Sequence, residues 1–471
     1  MVQTGEGPNE KEGHETCCSK VLQLSCRYTG ALPRGAVKPS LEATHEQALT
    51  AQHAQTDPGA ADLLGQAMAR ENLLAAWKRV KANKGSAGVD ARTVSETQRY
   101  LLGAWPEIRA SVLDGSYRPE PVRRVSIAKA GGGTRELGIP TVVDRLIQQA
   151  LLQVLQPLID PSFSEHSHGF RPGRSAHGAL RQAQRYVSEG YTTVVDVDLE
   201  KFFDRVNHDI LMGRLAGRIG DRRVLRLVRL YLQAEIMAEG VCMVREVGTP
   251  QGGPLSPLLA NVLLDEVDRE LQRRGHRFVR YADDCNVYVR SQRAGERVLQ
   301  ALRRSYERLK LTLNEAKTAV GPVWERKFLG YRLLRTSAGE VKLGVSHQSL
   351  QKLKDRVREL TRVTVGRSLE QVASDLRRYV PGWKAYFGLA QTPSVFAKLD
   401  GWLRTRLRVL QLRQWRHASK IHREMRQLGA TDALARKIAS LRRGWWGTAA
   451  TGLRRILTVA HFDRLGVPKF S

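Results

Sequence analysis

Apolar and polar residues alternate in two short runs that meet at an acidic pair. In RFVRYADDCNVYV, Arg277 to Val289, apolar side chains fall at Val279 and Tyr281 before Asp283-Asp284, and at Cys285, Val287 and Val289 after it. A period of two is the mark of half-buried strands, so the stretch predicts a β-hairpin with both aspartates in its turn. A β-branched run, Thr193 to Val197 in TTVVDVDLEKFFDRVNHD, predicts a buried strand that delivers Asp196 and Asp198 to its C-terminal end, with Phe202 and Phe203 in the turn or helix that follows. Helical spacing begins near Leu63, with Leu73, Leu74, Trp77 and Val80 three and four residues apart, and leads into the loop NKGSAGVD, Asn83 to Asp90. Val122 to Ile127 and AGGGTRELGIP, Ala130 to Pro140, predict two strands joined by a glycine-rich basic loop. Helices are predicted over Asp144 to Leu158, after the basic turn of HGFRPGRSAHGAL, and after the Gly/Pro-rich opening of GTPQGGPLSPLLANVLLDEVD, Gly248 to Asp268. Helix and strand therefore alternate through residues 61–340, as in an α+β or α/β enzyme core, and residues 341–471 read as helical.

Charge and composition sharpen this picture. A chain of 471 residues with a formal charge of +29 divides into two or three domains and points to a polyanionic partner, nucleic acid above all. The rival reading, a basic membrane-surface protein, finds no apolar run of spanning length, no amphipathic anchor and no signal sequence, so no membrane partner and a cytoplasmic location are expected. Residues 1–60 carry 5 Lys/Arg against 7 Asp/Glu and no hydrophobic period, which predicts a poorly ordered N-terminal extension. Residues 341–471 carry 27 Lys/Arg against 8 Asp/Glu. Trp383, Trp402, Trp415, Trp445 and Trp446, with Tyr379, Tyr386 and Phe387, lie among those arginines. The basic residues of 341–471 are expected to bind RNA, while most of the tryptophans belong to a helical core. The five cysteines show no CxxC spacing with histidines, which excludes a zinc ribbon and predicts free thiols.

The candidate chemistry follows from the carboxylates. Two adjacent aspartates at a hairpin tip repel one another unless a multivalent cation lies between them. Asp198 at the end of another predicted strand supplies a third carboxylate, and three carboxylates around two divalent ions are what phosphoryl transfer by two metals requires. Mg²⁺ is the natural ion, being hard and oxygen-seeking, with Mn²⁺ as a substitute. Arg123, Lys129 and Arg135 surround the glycine-rich loop and suggest phosphate binding. Gly252 and Gly253 allow the backbone to approach a bound strand or nucleotide.

The series NKGSAGVD, GGGTRELGIP, GFRPGRSAH, DVDLEKFFDRVNHD, TPQGGPLSPLLAN, RYADD, LKLTLNEAKT and FLGY, in this order and spacing, resembles the finger and palm blocks of a group II intron reverse transcriptase. RRYVPGWKAYFGLA, Arg377 to Ala390, and the basic helices through Leu428 resemble the maturase (thumb, or X) domain of that family. The resemblance implies an α+β fold: a right-hand reverse transcriptase core of fingers and palm over 61–340, then a helical thumb/maturase domain over 341–471. It implies Asp198, Asp283 and Asp284 as catalytic metal ligands, with Asp198 favoured over Asp196 because Phe203 follows it by five residues. It implies Arg123, Lys129, Arg135, Phe203 and Gln251 as nucleotide-binding residues, with Phe203 as the gate against ribonucleotides. Implied partners are group II intron RNA, an RNA template with a DNA primer, a DNA target and deoxynucleoside triphosphates. The lack of cysteine after Cys285 fits the bacterial type without an endonuclease. A domesticated or defence-type bacterial reverse transcriptase, and an RNA-binding maturase without polymerase activity, are the alternatives.

Overall fold

The computed structural model describes residues 62–128, 134–238, 241–243, 247–249, 252–362, 366–440 and 445–471. Lys129, Gln251, Cys17, Cys18, Cys26 and the extension 1–60 lie outside the described residues, as does the side chain of Arg135. Among the described residues the chain forms two compact units, one within Met1–Ala179, Val195–Val287 and Arg293–Val320, the other within Leu180–Val194, Tyr288–Gln292 and Gly321–Ser471.

The first unit opens with helices α1 (Leu63–Ala67), α2 (Arg70–Ala82) and α3 (Val94–Asp114). On α2 the residues Leu73, Trp77 and Val80 are buried as their spacing predicts. A capping box starts α3: the Thr93 side chain accepts from the Glu96 N–H, and the Glu96 carboxylate accepts from the Thr93 N–H at 2.8 Å. Two otherwise orphaned donors are satisfied this way, and Gly115 at φ 82° stops the helix. The chain continues through β1 (Val122–Ala128), β2 (Thr134–Ile139), α4 (Val142–Ile159), α5 (Ala176–Ser188), β3 (Thr193–Val197), α6 (His208–Ala216), α7 (Arg222–Gln233), β4 (Ile236–Ala238), β5 (Val241–Met243), α8 (Ser256–Arg273), β6 (Arg277–Tyr281), β7 (Asp284–Val289), α9 (Gln292–Arg308) and β8 (Ala319–Pro322).

Two four-stranded sheets result. The first has the order β2-β1-β4-β5, with β1 antiparallel to β2 from Arg123↔Ile139 to Ala128↔Thr134, and parallel to β4. The second has the order β6-β7-β3-β8. Its strands β6 and β7 depart from the half-buried expectation. Phe278, Val279 and Arg280 are all buried on β6, and every residue from Cys285 to Val289 is buried on β7. The physical reason is cover from elsewhere in the chain: α8 packs against β6, and Ser167 makes a parallel bridge to Arg280 along the outer edge of that strand. Alternation in the sequence thus reports a strand here but not a wet face.

In the second unit β9 (Lys327–Phe328), β10 (Tyr331–Arg335) and β11 (Val341–Val345) form an antiparallel sheet of order β11-β10-β9. The basic region is therefore helical from His347 rather than from 341. Its helices are α10 (His347–Leu360), α11 (Leu369–Phe387), α12 (Pro393–Trp415), α13 (Ala418–Gln427), α14 (Asp432–Ala439), α15 (Trp445–Ala450) and α16 (Val459–Arg464). The tryptophans divide as their context dictates. Trp415 is buried, and Trp383 packs among Phe387, Phe396 and Phe470. Trp402 lies beneath the guanidinium groups of Arg358 and Arg406, and Trp446 is exposed. Among the described residues no helix is long and apolar enough to cross a membrane.

Candidate active site

Asp198 stands immediately after β3, where a short extension of the sheet fixes its backbone. Its N–H donates to Thr318 Oγ1 at 3.2 Å and its carbonyl accepts from the Asn314 N–H at 2.8 Å. One residue on, Leu199 bridges Leu313, and the Glu200 N–H donates to the Thr312 carbonyl at 2.9 Å. The carboxylate is part-exposed, and its Oδ2 lies 2.7 Å from Lys317 Nζ. Asn314, Lys317 and Thr318 belong to the LTLNEAKT block, more than a hundred residues downstream, and no local pattern in the sequence marks them as neighbours of Asp198.

The second acidic element is the turn between β6 and β7. Ala282 and Asp283 occupy it, and Asp284 is already the first residue of β7, so the turn holds one aspartate rather than both. Ala282 has φ 60°, a left-handed conformation that costs a non-glycine residue about 1 kcal/mol or more. Gly169 presses against this turn: a Cβ there would meet Ala282 N at 2.1 Å, and both Ala282 Cα and the Tyr281 carbonyl carbon at 2.9 Å. The sequence marks Gly169 only as part of a basic turn. Its absent side chain is what lets the two backbones touch. Beside the turn, burial pushes the Cys285 thiol up, and this cysteine is free and fully buried.

Phe202 and Phe203 sit in a single 3₁₀ turn, Phe202–Asp204, entered through Lys201 at φ 46°. Phe202 is buried, whereas Phe203 is only half-buried and packs edge-on to it at 5.0 Å between centroids. The loop before α8 passes next to this turn. The Thr249 N–H donates to the Phe203 carbonyl at 2.6 Å and the Gly248 N–H to the Val206 carbonyl at 2.8 Å. Farther along, a Cβ on Gly252 would meet the Gly138 carbonyl oxygen at 2.6 Å, and one on Gly253 would meet Gln148 Oε1 at 2.5 Å. The glycines next to Gln251 thus bring this loop from the phenylalanine turn to the end of β2 and to α4.

Arg123 leaves its Nε buried without a hydrogen-bond partner among the described residues. Arg145 of α4, a residue that pattern reading passes over, is close enough to feel its charge. Burial lowers the Arg145 pKa, Asp90 opposes this, and the like charge of Arg123 lowers it further. Arg145 Nη2 donates to the Ser86 carbonyl at 2.6 Å, which ties the loop 83–90 to this corner. Two guanidinium groups near enough to feel one another's charge favour an anion close to both.

Among the described residues no three His, Cys, Asp or Glu side chains are drawn together into a closed metal cage. The donors do suit a hard cation. Asp198 and Asp284 lie at the ends of adjacent strands, Asp283 is one residue away, and Asp198 already takes the positive charge of Lys317 on its carboxylate. Acidic side chains at strand ends of one sheet, and an arginine of the other sheet near an arginine of α4, suit a nucleotidyl-transferring polymerase. Residues 127–333 match the reverse transcriptase (RNA-dependent DNA polymerase) family, and residues 350–429 match the maturase-specific domain of group II introns. The chain is 33% identical over 307 residues to Protein YkfC of Escherichia coli (strain K12), covering 56% of this chain and 81% of that protein. It is 42% identical over 164 residues to the group II intron-encoded protein LtrA of Lactococcus lactis subsp. cremoris, covering 35% of this chain and 27% of that one. To the uncharacterized 91 kDa protein in the cob intron of Schizosaccharomyces pombe it is 35% identical over 205 residues, 43% of this chain and 25% of that. The chain belongs to the group II intron reverse transcriptase/maturase family, with an RNA-directed DNA polymerase domain followed by a maturase domain. It spans about a quarter of the length of the Lactococcus and Schizosaccharomyces relatives.

Proposed function

We propose that this protein copies RNA into cDNA at the Asp198, Asp283 and Asp284 site, on an RNA template with a DNA primer, and that its basic 341–471 region binds group II intron RNA to assist splicing and mobility into a DNA target. The observation that carries the reading is the placement of Asp198 and Asp284 at the ends of adjacent strands, with Asp283 at the tip of the neighbouring turn. These three carboxylates would hold two Mg²⁺ ions, or Mn²⁺ in their place, which when bound activate a primer 3′-hydroxyl and stabilise the leaving pyrophosphate. The residues around them divide the remaining work. Arg123 and Arg145, with Lys129 and Arg135, would grip the triphosphate of a deoxynucleotide. Gln251 would line the base and sugar pocket. Phe203 would lie under the sugar, where a 2′-hydroxyl finds a ring edge and no hydrogen-bond partner to offset its desolvation. The polymerase core corresponds to 61–340 and the RNA-binding thumb to 341–471. The test is the double substitution Asp283→Ala with Asp284→Ala. It should abolish extension of a primed RNA template while leaving affinity for intron RNA nearly unchanged. Persistent DNA synthesis in that variant would remove the metal-site assignment.

A further inference from the structure

Three features outside the assigned site attract charge: the arginine-lined cavity between α10 and α11, the arginine and carboxylate cluster along α8, and a single arginine buried beneath the acidic turn. The last carries an inference, because its partners are fixed and one of them belongs to the turn itself.

Arg280 is 1% exposed, and all five of its N–H donors have acceptors. Nε donates to Asp268 Oδ1 at 2.8 Å, and Nη2 reaches Asp268 Oδ2 and Ser167 Oγ, the latter at 2.8 Å. Nη1 donates to Asn261 Oδ1 at 2.8 Å and to the Ala282 carbonyl at 2.8 Å. The acceptors come from three segments. Asp268 and Asn261 are on α8, Ser167 is on the edge segment beside β6, and Ala282 is the residue before Asp283. Asn261 closes the circuit, since its Nδ2 donates to the Gly169 carbonyl at 2.9 Å, and Gly169 is the glycine pressed against Ala282.

A buried ion pair is a poor device for stability, because aliphatic residues of similar volume usually serve as well or better. Lysine could neutralise Asp268 but has no planar fork with which to reach the other acceptors. What requires arginine here is geometry. The Ala282 backbone is held in a left-handed conformation, and it is clamped by a hydrogen bond to its carbonyl on one side and by Gly169 on the other.

We propose that Arg280 is a positioning residue for polymerisation: from Asp268 and Asn261 it sets the pose of the Ala282-Asp283 turn, and thereby the direction in which the Asp283 carboxylate is presented. The inference rests on the reading of Asp283 as a metal ligand.

Arg280→Lys retains the charge facing Asp268 and removes the fork. In the folded full-length variant, kcat for primer extension should fall roughly ten- to hundredfold, as it does when the outer partners of a metal ligand are lost, with KM for the template-primer unchanged. The Mg²⁺ concentration for half-maximal rate should rise, and Mn²⁺ binding read directly by electron paramagnetic resonance should weaken by a similar factor. A purely structural arginine would lower the melting temperature and leave kcat and Mn²⁺ affinity in the folded fraction untouched, and that result overturns the proposal. If Arg280→Lys does not fold, Asn261→Ala is the second variant, since it keeps the Arg280–Asp268 pair and breaks the link to Gly169. It must show the same pattern, and wild-type kcat and Mn²⁺ affinity in it overturn the proposal equally. Asp283→Ala separates the two levels: wild-type Mn²⁺ binding in that variant refutes the metal-ligand reading itself, whatever the Arg280 variants do.

Discussion

Replacing Gly169 by alanine adds one methyl group and should slow primer extension sharply while leaving the chain folded. The new Cβ would lie 2.1 Å from Ala282 N, about 1.3 Å short of ordinary contact at 3.4 Å, and the obstacle is backbone with no flexible side chain to swing aside. Either the 166–169 segment withdraws or the acidic turn moves. The segment is held by two hydrogen bonds to β6, His168 N–H to the Arg280 carbonyl and Arg280 N–H to the His166 carbonyl, each 2.9 Å. The turn, already at positive φ, is the softer side and takes most of the displacement. Overpacking of this kind costs roughly 1–3 kcal/mol of stability. A shift of ~1 Å at a reacting group costs on the order of a hundredfold in rate. Single-turnover primer extension at saturating template-primer isolates the chemical step from binding, and a thermal melt in the same buffer reports the fold. Gly103→Ala is the control: it lies within α3 with nothing within 4 Å of the new methyl, so it should gain roughly 0.5–1 kcal/mol and leave the rate alone. A well-folded Gly169→Ala protein extending primers at the wild-type rate would refute the argument that this contact shapes the turn.

Three further outcomes are expected. Burial pushes the Asp144 carboxyl up to about 6, against hydrogen bonds from Thr141 and Tyr117 that lower it. Because the folded value is raised, the stabilising contribution is full below the unfolded value near 4 and is lost as pH rises to about 6. Stability should therefore drop by about 3 kcal/mol across that window, as an upper bound, and Asp144→Asn should flatten the pH profile of urea denaturation; an unchanged profile would place the titration elsewhere. Phe203→Ala should raise ribonucleotide incorporation relative to deoxynucleotide incorporation in single-nucleotide extension, and equal losses for both substrates would reduce Phe203 to a packing residue. Changing the exposed Arg423, Arg426, Arg436 and Lys437 of α13 and α14 to glutamine should flatten the dependence of log RNA affinity on log salt by about 0.7 for each phosphate contact removed, whereas an unaltered slope would place the RNA contacts outside these helices.

The acidic hairpin and the β3 strand are legible in the sequence because a strand writes its character directly into neighbouring residues; that pattern marks Asp283 and Asp284 and leaves Asp196 beside Asp198, and only the family resemblance favours Asp198. The charged interior beneath them is not legible in this way. At Arg280 an arginine between Val279 and Tyr281 reads as the polar half of an alternating strand, and such a residue is assigned to solvent. The structure buries it because Ser167, 113 residues earlier, lines the strand edge and Asp268 on α8 supplies the counter-charge. Neither neighbour announces itself locally: Ser167 is one hydroxyl in a basic loop, and Asp268 is one of several acids on a helix that looks amphipathic. Lys317 and Thr318 escape pattern reading for the same reason, since they meet Asp198 only after the chain has returned across the sheet. Gly169 illustrates the limit most sharply. A glycine that supplies a positive φ and a glycine that admits another backbone carry the same one-letter signal, and only the second must stay glycine because of a residue far away in sequence. Local pattern and the family resemblance thus propose which carboxylates do the chemistry, while the proposed control over their pose resides in contacts between segments, so substitutions at Gly169, Asn261 or Arg280 can disable a site whose aspartates are all in place.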